Sequence, residues 1–147
     1  MKSFKQFNEK IVFPNGSDYY ITAAKFFLEK MGIDHSKIQI AIVFKDKMNG
    51  DDGFTTQSPK NPKQFLINLK KGHPKADLLR LIAHEMTHVK QLVNGDLKFD
   101  FENGKILWKG KDFDVDKTPY RKRPFEIEAF KEEKKYIQDF IKKYGNE

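Results

Sequence analysis

A chain of 147 residues, 38% hydrophobic and 14% aromatic, can bury a core without covalent staples, which excludes a disordered tail. It has no cysteine, which excludes disulfide frameworks, thiolate metal sites and cysteine nucleophiles, so any metal must be held by histidine and carboxylate. The net charge is +7, from 28 Lys and Arg against 21 Asp and Glu, but the lysines are spread along the chain and no basic cluster with interleaved aromatics marks a nucleic-acid site.

Met1 to Lys10 is polar and lacks the apolar stretch of a secretory signal, and no later apolar run is long enough to span a membrane; a cytosolic protein is expected. Pro14-Asn15-Gly16 signals a turn, with Ser17 or Asp18 as the N-cap of a first helix. Tyr20, Ala23, Ala24, Phe27, Leu28 and Met31 then recur at helical spacing, and Gly32 is the expected stop. Ile38 to Lys45 is rich in β-branched residues and reads as a strand. Asp46 to Pro62 reads as a polar loop, and Gln64 to Lys70 as a second strand. Gly72-His73-Pro74 breaks the chain before a long helix from Lys75 to Val93.

Beyond Asn94-Gly95, Leu97, Phe99 and Phe101 alternate with polar residues, and Ile106-Leu107-Trp108 follows Asn103-Gly104, which predicts a hairpin. Lys111 to Arg123 reads as an irregular basic stretch, and Pro124 opens a last helix that runs to Tyr144. The order predicts one α+β domain over residues 1–147.

His84-Glu85-Met86-Thr87-His88 falls on the long helix. Residues i and i+4 share a helix face, so both imidazoles can reach one metal while Glu85 stands beside a water bound there. Leu78, Leu79, Ile82, Ala83, Met86, Val89 and Val93 form the apolar arc of this helix, and the two histidines lie outside it. Leu81 and Leu92 share their flank, so that side is expected to be covered as well.

A catalytic zinc takes three protein ligands and keeps a fourth position open. No histidine follows His88, and the candidates for the third ligand are Asp96, Glu126 and Glu128, or the earlier His35 and His73. Helical geometry separates the two glutamates. At about 100° per residue, Ala129, Phe130, Ile137, Phe140, Ile141 and Tyr144 fall within roughly 60° of Glu126, whereas Glu128 shares an arc with Lys131, Glu132 and Lys135. Glu126 is therefore expected to point inward from the first helical turn, where an unpaired carboxylate is costly and a metal would relieve the cost. An ion pair with Arg121 or Arg123 would also relieve it. Glu128 is expected to be solvated and Asp96 to be a turn residue.

A helical H-E-x-x-H followed by a glutamate on a second helix resembles the gluzincin metallopeptidases, in particular the very small single-domain members of bacteria and phages. Their third ligand opens a helix as Glu-x-x-Ala, and Glu126-Ile127-Glu128-Ala129 is similar, with Glu126 in the ligand place. The resemblance implies a zincin-like fold in which a small sheet packs on the metal helix. Gln64 to Lys70 would be the edge strand to which an extended peptide adds. The chain departs from the pattern at Phe130, where gluzincins often carry Asp or Asn to orient a histidine. Metzincins and SprT-like peptidases take a third histidine downstream, and the metzincin position is Asn94 here. Met1 to Phe7 is similar to the opening of many tailed-phage proteins, which would place the chain in a host cytoplasm.

The function these residues imply is hydrolysis of a peptide bond in a protein or peptide substrate, with Zn2+ held by His84, His88 and Glu126 and with Glu85 as general base. Tyr120, Arg121 and Arg123 precede the ligand helix and are candidates for stabilising the oxyanion. A non-catalytic zinc-stabilised binding or structural module, such as a phage structural or regulatory part, and a DNA-associated protease of SprT-like type are the alternatives.

Overall fold

The computed structural model describes residues 10–14, 16–48 and 50–147. Residues 1–9, on which the reading of Met1 to Lys10 as lacking a secretory signal and of Met1 to Phe7 as phage-like falls, lie outside that range, as does Asn15 of the first turn. The described chain is α+β. It runs β1 (Ile11–Val12), α1 (Asp18–Lys30), a 3₁₀ turn at His35–Lys37, β2 (Gln39–Lys45), β3 (Gly53–Gln57), β4 (Gln64–Lys70) and α2 (Lys75–Asn94). There follow β5 (Leu97–Asp100), β6 (Lys105–Trp108), β7 (Lys111–Phe113), a second 3₁₀ turn at Tyr120–Lys122 and α3 (Pro124–Tyr144).

The first sheet has the order β1-β2-β4-β3. β1, β2 and β4 run parallel, and β3 lies antiparallel to β4, with Gly53 opposite Leu69 and Thr55 opposite Ile67. This corrects the expectation for Gln64–Lys70: it is an interior strand, and the edge belongs to β3, inside the stretch read as a loop. The interior position explains the sequence of β4. Phe65, Ile67 and Leu69 are buried and join α1 and α2 in the core through Phe27, Leu28, Ile82 and Met86.

Residues 97–113 form a second, three-stranded sheet in the order β5-β6-β7. The Asn103-Gly104 hairpin is present, but the meander continues into the stretch read as irregular. Lys109 (φ 51°) and Gly110 (φ 82°) both adopt the left-handed conformation, as a two-residue turn between twisted strands requires. Lysine does so rarely, which is why the turn carried no sequence signal. Leu97, Phe99, Ile106, Trp108 and Phe113 give this sheet one apolar face, which packs toward the core.

α2 is the central element. It begins directly after Pro74 and ends at Gly95, whose φ of 83° stops it without strain. From Leu78 to Leu92 nearly every residue is buried, so the helix is covered by α1, the first sheet and α3. α3 starts with Pro124 at its first position and buries Phe125, Glu126, Ala129, Glu133, Tyr136 and Phe140. Ala129, fully buried, keeps the α2–α3 approach close. Among the described residues no helix is long and apolar enough to cross a membrane.

Candidate functional site

His84 and His88 stand one turn apart on α2, both buried. Their rings are set edge to face with centroids 5.0 Å apart. Glu126, on the first turn of α3, meets both. Its Oε1 lies 2.8 Å from His84 Nε2 and 3.0 Å from His88 Nε2. The placement expected from the helical arc is the one observed, and Glu126 points inward between the two imidazoles.

The outer nitrogens are held as firmly. His84 Nδ1 lies 2.8 Å from Glu133 Oε2, and Glu133 is buried with its other oxygen 3.6 Å from Arg80 Nη1. His88 Nδ1 lies 2.8 Å from Gln91 Oε1. The orientation of the Gln91 amide is fixed because its Nε2 donates to the Phe125 carbonyl and to Glu128, each at 3.0 Å. Both outer partners are therefore acceptors. Each histidine keeps a proton on Nδ1, and both Nε2 atoms face the centre.

Phe130 does not leave His84 without a guide, as the departure from the gluzincin pattern suggested. Glu133 supplies the carboxylate from a turn further along the helix, while the Phe130 ring packs edge-on against His84 at 4.7 Å. Glu133 was detectable in the sequence. Seven residues are almost two full turns, which returns it to within about 20° of Glu126. Glu128 is half-buried rather than solvated, because it accepts from Gln91 and pairs with Lys90 at 3.2 Å.

Glu85 is buried beside the histidines but turned toward the sheet. Thr55 Oγ1 on β3 donates to its Oε1 at 2.9 Å. A ligand atom from each of His84, Glu85 and His88 lies within 4.8 Å of the others, so by spacing alone these three could also hold an ion. Glu126 approaches both imidazoles much more closely, and Glu85 is already engaged by Thr55. Gly53 leaves room here: a Cβ on it would stand 3.5 Å from Glu85 Oε2 and 3.0 Å from Leu69 Cδ2.

The charges are strongly perturbed. Burial alone would lower the pKa of His84, but hydrogen bonds to Glu126 and Glu133 and the nearby Glu85 charge outweigh it and lift the group to about 9. His88 is also raised, burial being outweighed by Glu126 and Glu85. Glu126 is held down to about 2, the two histidines overcoming the cost of its burial. Burial pushes Glu85 up, only partly offset by the histidines and Thr55.

Of Tyr120, Arg121 and Arg123, Tyr120 brings a polar atom to the centre: its hydroxyl lies 3.4 Å from His84 Nε2. Burial and the Glu126 charge raise its pKa, so it keeps its proton. Arg123 donates from Nε to the Thr118 carbonyl and from Nη2 to the Val115 carbonyl, which secures the approach to α3. Arg121 stacks over Phe130 at 4.5 Å. The other ligand candidates lie elsewhere. His35 bonds Glu29 at 2.8 Å, His73 lies 3.5 Å from Asp52, and the Asp96 carbonyl accepts from Lys109 in a turn.

Two hollows meet at Glu85, Gly53 and Tyr120. A cavity of about 750 Å³ lies on the His88 side, and one of about 440 Å³ on the His84 side, where Arg80, Arg121 and Phe130 line it. No protein-family model, no curated protein and no solved structure matches the chain.

Proposed function

We propose that the chain is a zinc-dependent peptidase with a zincin-like fold, in which His84, His88 and Glu126 hold the metal and Glu85 is the general base. The observation that carries this reading is the convergence of two imidazole Nε2 atoms on one carboxylate oxygen, with a second buried carboxylate beside them at the wall of an open cleft. The donor set fits zinc. Donors that share a zinc at ordinary bond lengths stand about 3 Å apart, and the acceptors on both Nδ1 atoms turn both Nε2 atoms inward, where zinc would replace their protons.

Zinc, when bound, supplies Lewis acidity that polarises a scissile carbonyl and acidifies water. Glu85 takes the proton of the attacking water and returns it to the departing amine. Tyr120 donates its hydroxyl proton to the carbonyl oxygen as negative charge develops there. Among the described residues no strand pairs with the outer edge of β3, which would offer its backbone groups to an extended peptide, the role expected of Gln64–Lys70.

The test is zinc content, measured by mass spectrometry on the untagged wild type, Glu126→Ala and Glu128→Ala. We expect about one zinc per chain, lost in Glu126→Ala and retained in Glu128→Ala. A wild type that binds no zinc after reconstitution overturns the reading.

A further inference from the structure

The apolar face of the second sheet is only half covered. Phe125 closes one part, with its ring 5.9 Å from Trp108 and 5.3 Å from Phe113. Phe99 and Ile106 pair across β5 and β6 on that same face and remain half-buried, as does Val115 just beyond β7. Together with Leu97 and Phe125 they wall the cavity of about 750 Å³. His88, Glu85, Glu126 and Thr55 line this cavity too, so its apolar wall is continuous with the reacting groups and with the strand on which a peptide would lie. Among the described residues the cation beside that wall, Arg123, has committed its guanidinium to two backbone carbonyls. Lys45, Lys47 and Asp51 reach only the solvent-exposed rim.

We propose that this cavity is a specificity pocket taking a large apolar side chain, aromatic or long aliphatic, from the residue on the His88 side of the scissile bond. The assignment rests on the peptidase reading for its substrate. A charged side chain would lose its hydration against five apolar residues and find no partner among them. A small one would leave the wall wet. One methylene more or less in such a pocket changes selectivity by about ten- to two-hundred-fold.

Two measurements test this. The zinc-loaded wild type and Ile106→Asp are given a degenerate peptide library, and the cleaved bonds are read by mass spectrometry with Glu85→Gln as the blank. Cleavage next to Phe, Leu or Met, with that preference lost in Ile106→Asp, is the expected result. Glu85-dependent cleavage with no apolar preference overturns the pocket and leaves the peptidase intact. Separately, methyl resonances of Ile106 and Val115 are followed in zinc-loaded Glu85→Gln as acetyl-Ala-Phe-Ala-amide or acetyl-Ala-Asp-Ala-amide is added. Shifts with the Phe peptide alone support the pocket even if no bond is cut, an outcome that would sink the peptidase reading instead. Equal shifts with both peptides, or none with either, overturn the pocket.

Discussion

His84 and His88 occupy the same helix and meet the same oxygen of Glu126, yet the two sides of the centre are built differently. On the His84 side the outer partner is a buried carboxylate backed by an arginine. On the His88 side it is a neutral amide, oriented by a backbone carbonyl and by Glu128. The hollows beside them differ in the same sense, charged next to His84 and apolar next to His88. One side gains basicity from charge, and the other gains orientation without adding charge near an apolar wall. The centre is thus charged on one flank and apolar on the other.

Glu85 belongs to neither flank, and its replacement carries the largest expected effect. Glu85→Gln should lower the peptidase rate by about 10²–10⁴-fold and leave the zinc content unchanged. Loss of zinc would make Glu85 the third ligand and dissolve a picture centred on Glu126. The next effect is one of pH, in the metal-free protein. The pKa of His84 is raised from 6.5 to about 9, so its contribution is complete below 6.5 and is lost as pH climbs through about 9. Glu126 is lowered from 4.5 to about 2, so its contribution is complete above 4.5 and is lost as pH falls through about 2. The unfolding free energy read from urea titrations should fall on both limbs, by on the order of 3 kcal/mol at the alkaline one, and Glu133→Gln should flatten that limb.

Smaller again is the effect on metal affinity. Removing an outer partner of a ligand histidine costs about 10–100-fold in affinity. We expect Glu133→Ala to fall near the top of that range and Gln91→Ala near the bottom, measured by competition with a chelator. Equal losses would break the contrast between the flanks. The smallest effect belongs to Thr55→Val, which removes the hydrogen bond to Glu85. It should lower stability by about 1 kcal/mol in urea denaturation, equally with and without zinc.

The sequence makes the metal helix, the last helix and the inward turn of Glu126 legible because each depends on helical period alone. Glu133 obeys the same period and escapes notice only because a charged residue deep in a helix–helix seam is unusual. β3 is harder to see. Gly53-Phe54-Thr55-Thr56-Gln57 is short, and its strand character comes from pairing with β4 rather than from its own alternation. Once β3 occupies the edge, β4 moves inside, so that missed strand accounts for the misplaced edge, while β1, only two residues long, offers no alternation to read. Gln91 and Glu128 form a chain across two helices, and contacts of that kind depend on how the helices pack, which no spacing within either helix records.

Glu126 sits on the opening turn of α3, 38 residues after His88. Two of the three inward-facing donors are thus made before the third, which arrives with α3. A chain still emerging from the ribosome would carry both histidines and the base but no complete cage. The proposed site would therefore be completed only when α3 docks.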